Sequence, residues 1–246
     1  MIRIARAPLP SELENRLPPL TAEIAAASTV ASASVARSAW RRGAVRQNVH
    51  APLRKVLVGM APGIECCMYC GDSQGTDIDH FEPIARNPLR TFDWLNHLLA
   101  CSTCNSHHKR SLFPLGPDGS PLLIDPTAED PFDHLLLTPS LGVYRGLTPK
   151  GRATIEACAL NRYPLTRGRQ NSLRVVVMCL KQWARAYDTD PAAMHEAVVT
   201  VREQPFADVC QSLLRLALSP GAVRVIDDPH VLDLLRRPEL REALLT

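Results

Sequence analysis

The sequence predicts an α+β, mostly helical fold in which a small cysteine-rich core is embedded between α-helical segments. Three observations carry this reading. Apolar residues recur with helical spacing on both sides of the chain's middle. Five of the eight cysteines fall between positions 66 and 104. Residues 114–150 are punctuated by Pro and Gly, which interrupt helix. With 246 residues, 46% apolar and 22% charged, the composition is that of a folded globular chain and not a disordered one.

Residues 1–63 read as a helical N-terminal region. Ala-rich sequence runs from Thr21 to Arg42, and a second periodic segment (Val49, Leu53, Val56, Leu57, Met60) follows. Pro18-Pro19 and Pro62-Gly63 punctuate its ends. Residues 1–60 carry nine Arg or Lys against three Glu, although the net charge of the chain is only +3. Such a balance suits a phosphate backbone and equally a solvated basic helix face. Residues 64–115 form the core, with Cys, His, Asp and aromatic residues in short pieces. Residues 116–148 are a Pro/Gly-rich segment expected to wrap a surface. Residues 149–246 return to a helical pattern, with helices expected at 149–159, 164–187, 190–203, 205–218 and 227–244.

No stretch reads as a membrane span. The longest uncharged run near the start, Ile24 to Ala36, has thirteen residues, against roughly 20 needed to cross a bilayer. The first residues lack the apolar run of an export signal, so the expected compartment is cytoplasmic. In a reducing compartment, paired cysteines are metal ligands or redox groups before they are disulfides. Cys158, Cys179 and Cys210 lie in apolar helical patterns and are expected in the core.

Cys67-Met68-Tyr69-Cys70 and Cys101-Ser102-Thr103-Cys104 are two C-x2-C pairs separated by thirty residues. Four thiolates close a tetrahedral Zn²⁺ shell and leave no position for water, so Cys67, Cys70, Cys101 and Cys104 predict a structural zinc. That ion would join two distant segments where a small core buries too little apolar surface to do so. Cys66 offers a C-x3-C alternative to Cys67. The thirty intervening residues exceed what a plain zinc ribbon needs, and they hold Asp77-Ile78-Asp79-His80-Phe81-Glu82-Pro83 and Trp94-Leu95-Asn96-His97.

At these residues the sequence resembles the HNH (ββα-metal) endonucleases, in the branch framed by two C-x2-C pairs. The matching positions are Asp79-His80, Asn96, and Asn105 directly after the last cysteine. A narrower resemblance, over about residues 35–190, is to the retron- and Septu-associated HNH nucleases of bacterial phage defence. It adds Asp125-Pro126, Glu129-Asp130-Pro131, and Gly151 through Ala153-Thr154-Ile155 to Leu160-Asn161-Arg162. The chain departs from the pattern in having Asn at the last HNH position, His97 where Leu is usual, and His107 and His108 after the Cys-Asn block.

The resemblance implies metal-dependent phosphodiester hydrolysis, leaving 5′-phosphate and 3′-hydroxyl ends. His80, neutral near pH 7, would accept a proton from water. Asp79 and Asn105 would hold a hard cation, Mg²⁺ or Mn²⁺, as Lewis acid. Asn96 would pin the connection between strand and helix and so orient His80. On a helix begun at Cys101, Asn105 and Lys109 share a face, and Lys109, Arg110 and His108 are the expected phosphate contacts. His108 also fits simple packing beside the zinc. Arg145, Lys150, Arg152, Arg162, Arg167 and Arg169 form a basic cluster that suits either a nucleic-acid track or a solvated face. The expected partner is nucleic acid, DNA first, and analogy with the defence nucleases adds an ATPase. The competing reading is a zinc-held binding module for nucleic acid or a partner, without cleavage.

Overall fold

A computed structural model describes residues 1–72 and 74–245. Helix α1 (Ser11–Ala25) starts well before the expected Ala-rich helix and runs through Pro18 and Pro19. Both prolines lie on the exposed face, where the carbonyls they leave without amide partners meet water; Leu13, Leu17 and Ile24 form the buried stripe. Helix does not continue to Arg42 in one piece but resumes as α2 (Ser32–Arg41). A short α3 (Gly43–Val45) leads through a π-helical turn (Arg46–His50) into α4 (Ala51–Met60). Leu17, Ile24, Ala36, Ala39, Val45 and Val49 close on Phe92 as a small cluster of their own. Phe92 belongs to the connection inside the cysteine-rich core, so the N-terminal helices pack directly on that core.

Strand β1 (Asp77–His80) pairs antiparallel with β2 (His97–Ala100), with Asp77 opposite Ala100 and His80 opposite His97. Alternate strand residues face opposite sides. Asp77 and Asp79 therefore share one face of the hairpin, and Ile78 and His80 the other. A π-helical turn (Thr103–Lys109) follows β2 almost at once, giving two strands and a helix in succession. The wrapping segment is more regular than its Pro/Gly content suggests. It contains a second hairpin, β3 (Leu135–Thr138) with β4 (Val143–Gly146), which buries Leu135, Leu137 and Tyr144.

Helices α5 (Pro149–Ala157), α6 (Tyr163–Ala186), α7 (Pro191–Glu203) and α8 (Ala207–Leu216) lie close to the expected positions. After a short α9 (Ala222–Val225), the expected final helix is two, α10 (Pro229–Arg236) and α11 (Pro238–Leu245). The break falls at Arg237, whose extended ψ of 122° is what a following proline favours. One large core takes in residues from Met1 to Leu244, including Cys158, Cys179 and Cys210. No helix among the described residues is long and apolar enough to cross a membrane.

The motif residues downstream of the cysteines act as staples. Glu129 accepts from His134 and Lys150, each at 2.9 Å. The Asn161 amide closes on the Tyr144 backbone N–H and C=O, both at 2.8 Å. A Cβ at Gly151 would lie 2.0 Å from the His134 carbonyl oxygen, so only glycine fits there. Arg169 is fully buried on α6, paired with Asp208 at 3.2 Å and donating to the Leu160 carbonyl. It is thus no part of an exposed basic cluster, and Lys150 is likewise committed to Glu129.

Candidate active site

The four thiols of Cys67, Cys70, Cys101 and Cys104 are buried and their sulfurs all lie within 4.8 Å of one another. The Cys70–Cys101 sulfur separation is 3.9 Å, close to the edge of about 3.8 Å that Zn–S bonds of about 2.3 Å dictate for a tetrahedron. This donor set fits a structural zinc. Two further groups suit thiolates: the Cys104 N–H donates to Cys101 Sγ at 3.3 Å, and the Arg162 guanidinium approaches Cys104 Sγ at 3.6 Å. Arg162, grouped from sequence with a nucleic-acid track, thus lies against the sulfur cluster. Cys66 stands outside the group of four, its buried thiol beside the Ile64 carbonyl and its pKa pushed up to about 12 by burial.

His80 ends β1 with its imidazole buried under Trp40, ring centroids 4.5 Å apart. Its Nε2 lies 3.0 Å from the Thr91 carbonyl oxygen. A carbonyl only accepts, so Nε2 carries the proton and Nδ1 the lone pair. Burial lowers the imidazole pKa to about 4, against the opposing pull of the Asp79 charge, so His80 is neutral at pH 7. His97, across the hairpin, donates to the same carbonyl at 3.0 Å. Asn96 is fully buried. Its Oδ1 accepts from the Glu82 N–H at 2.7 Å, and its Nδ2 donates to the carbonyls of Glu82 and Arg90, each at 3.0 Å. This amide therefore ties the residues just after His80 to the residue preceding Thr91.

On the other face of the hairpin, the π-helical turn lies along β1. A strand advances about 6.7 Å over two residues and a helix about 5.4 Å per turn, so residues 105 and 109 meet residues 77 and 79. Asn105 Nδ2 is 3.3 Å from Asp77 Oδ2. Lys109 Nζ is 2.9 Å from Asp79 Oδ2 and 2.8 Å from the His80 carbonyl oxygen. Tyr69 donates to the same carboxylate at 2.6 Å.

This arrangement corrects two expectations. Lys109 is fully buried and committed to Asp79, so it is not placed to meet a phosphate. Asp79 and Asn105 do not converge on one oxygen cage, because Tyr69 and Lys109 occupy the Asp79 carboxylate and Asn105 stands across from Asp77. As arranged, that pair does not fit a shared Mg²⁺ or Mn²⁺. His80 lies on the hairpin face opposite both. Arg110 is exposed just past the turn with a positive φ of 49°; His108 is half-buried, and His107 Nδ1 lies 3.1 Å from the Ser102 carbonyl oxygen. Sequence reasoning did not anticipate Asp77, Tyr69, Trp40 or the Thr91 carbonyl. Asp77 alone had a readable signal, since it shares the strand face of Asp79 two residues on.

No curated protein and no solved structure matches the chain. Residues 67–111, which span both cysteine pairs, the β1–β2 hairpin and the π-helical turn, match the model of the HNH endonuclease family.

Proposed function

We propose that the protein is a divalent-metal-dependent endonuclease that hydrolyses DNA, with His80 as general base. The observation that carries this reading is the fixed tautomer of His80 inside the matched segment. The Thr91 carbonyl holds the proton on Nε2, which leaves Nδ1 as the nitrogen that accepts one from water. Asn96 acts as the positioning residue, through the backbone on either side of the Thr91 contact. Lys109 neutralises Asp79 and anchors the end of the π-helical turn to the end of β1. The zinc held by the four thiolates is structural, and a cytoplasmic setting keeps those thiols reduced.

The defence role, with an ATPase as partner, rests on the resemblance of the flanking motifs. In the fold those residues staple the wrapping segment and α5 to the core, a role that any nuclease built this way would need. One observation favours the second reading, a zinc-held binding module: the Asp79 carboxylate is already occupied by Lys109 and Tyr69. Incubating the zinc-loaded full chain with plasmid DNA and with RNA, in buffer with or without added Mn²⁺, separates the two. The nuclease reading expects nicked plasmid only with metal. Intact plasmid alongside tight DNA binding would leave the binding module.

A further inference from the structure

Asp77 at the start of β1 and Asn105 on the π-helical turn line a cavity of about 620 Å³. Its opposite wall comes from the N-terminal helices, outside the segment matched to the HNH family, and includes Trp40, Arg41, Arg46 and His50. The charges of this wall are unevenly satisfied. Arg54, which also lines the cavity, pairs with Glu65 at 2.5 Å, and Arg42, beside Arg41 in sequence, pairs with Glu23 at 2.6 Å. Arg41 and Arg46, both exposed, form no ion pair with a carboxylate among the described residues. His50 packs tilted against Trp40, ring centroids 3.8 Å apart, and its ring hydrogen-bonds to the Trp40 backbone, so it is engaged within the wall.

We propose that Arg41 and Arg46 bind the phosphodiester backbone of nucleic acid, holding a strand across the cavity from Asp77 and Asn105. Guanidinium forks match phosphate oxygens bidentately, and they confer position without base preference. Two unneutralised arginines on one wall of one polar cavity supply guanidinium donors for the oxygens of a phosphodiester. The N-terminal helices then have a task in the reaction besides packing on Phe92. This inference takes its ligand class from the nuclease reading, but it concerns binding and not cleavage.

The test measures fluorescence anisotropy of a labelled DNA duplex and of its single strand with the zinc-loaded full chain in buffer free of Mg²⁺ and Mn²⁺, across a series of salt concentrations. Arg41→Ala/Arg46→Ala is compared with wild type and with Arg224→Ala, an exposed arginine on α9. The double variant is expected to lose about tenfold or more in affinity and to flatten the slope of log affinity against log salt by about 2, since each phosphate contact contributes about 0.9. Arg224→Ala is expected to change neither. Wild-type affinity and slope in the double variant overturn the proposal, and do so without touching the nuclease reading if wild type still nicks plasmid. A wild-type chain that binds neither DNA form at low salt overturns both together.

Discussion

Lys109 Nζ lies 2.9 Å from Asp79 Oδ2, with both side chains in the core and the ammonium also donating to the His80 carbonyl at 2.8 Å. The pair fixes the far end of the π-helical turn against the end of β1, while the cluster of Cys67, Cys70, Cys101 and Cys104 gathers at its near end. The angle between turn and hairpin is therefore held at two points, by the ion pair and by the cysteine cluster.

Removing one partner leaves a buried charge uncompensated. Lys109→Met is expected to cost about 3–5 kcal/mol of folding stability, read as a lowered urea midpoint at unchanged slope. Asp79→Asn/Lys109→Met should recover much of that loss, because an apolar replacement of both charges is tolerated far better than a lone charge. A loss below about 1 kcal/mol for the single variant, the range of exposed ion pairs, would show that the pair is not buried as described.

The cysteine assignment predicts opposite behaviour at adjacent residues. Cys67→Ser and Cys101→Ser should lower zinc content and folded yield together, whereas Cys66→Ser should keep wild-type zinc stoichiometry by elemental analysis. Full zinc in Cys67→Ser would hand the ligand role to another group.

Asn96 makes three hydrogen bonds with backbone groups of the connection. Asn96→Ala leaves those groups unsatisfied and should cost about 2–3 kcal/mol. Asn96→Asp should be at least as damaging, since a carboxylate oxygen would then face the carbonyls of Glu82 and Arg90. Denaturation of Asn96→Asp at the wild-type midpoint would contradict this account of the connection.

Burial holds the His97 pKa well below 6.5, with the neighbouring His80 acting in the same direction. The unfolded chain therefore takes up a proton that the folded chain refuses. Stability from this group is present above pH 6.5 and declines as pH falls from there toward the lowered folded pKa. His97→Leu should flatten that decline. At pH 7 it should cost little, because it removes the bond to the Thr91 carbonyl together with an Nδ1 that has no partner among the described residues. An unchanged pH dependence in urea melts would show that His97 is not the group refusing the proton.

The legible parts were those written in spacing. Two C-x2-C pairs marked the sulfur cluster, and the helical periods after residue 149 located α5 to α8 closely. What escaped depended on contacts without a sequence signature. The Thr91 carbonyl that fixes His80 is a backbone acceptor that any residue could supply. Trp40 reaches His80 only because the N-terminal helices fold back over the hairpin. Lys109 was read as a free cation because its place on the face of Asn105 was visible, but the strand register that puts Asp79 beneath it was not. Alternation along β1 contained that answer: residues 77 and 79 share a face, and helix residues four apart match them.

The most direct test of the central claim is the single-turnover rate of plasmid nicking in Mn²⁺ by wild type and by His80→Ala, both confirmed folded and zinc-loaded. Loss of a general base is expected to slow the reaction by at least about a hundredfold. Equal rates for the two proteins would contradict the assignment of His80 and, with it, the mechanism proposed for this fold.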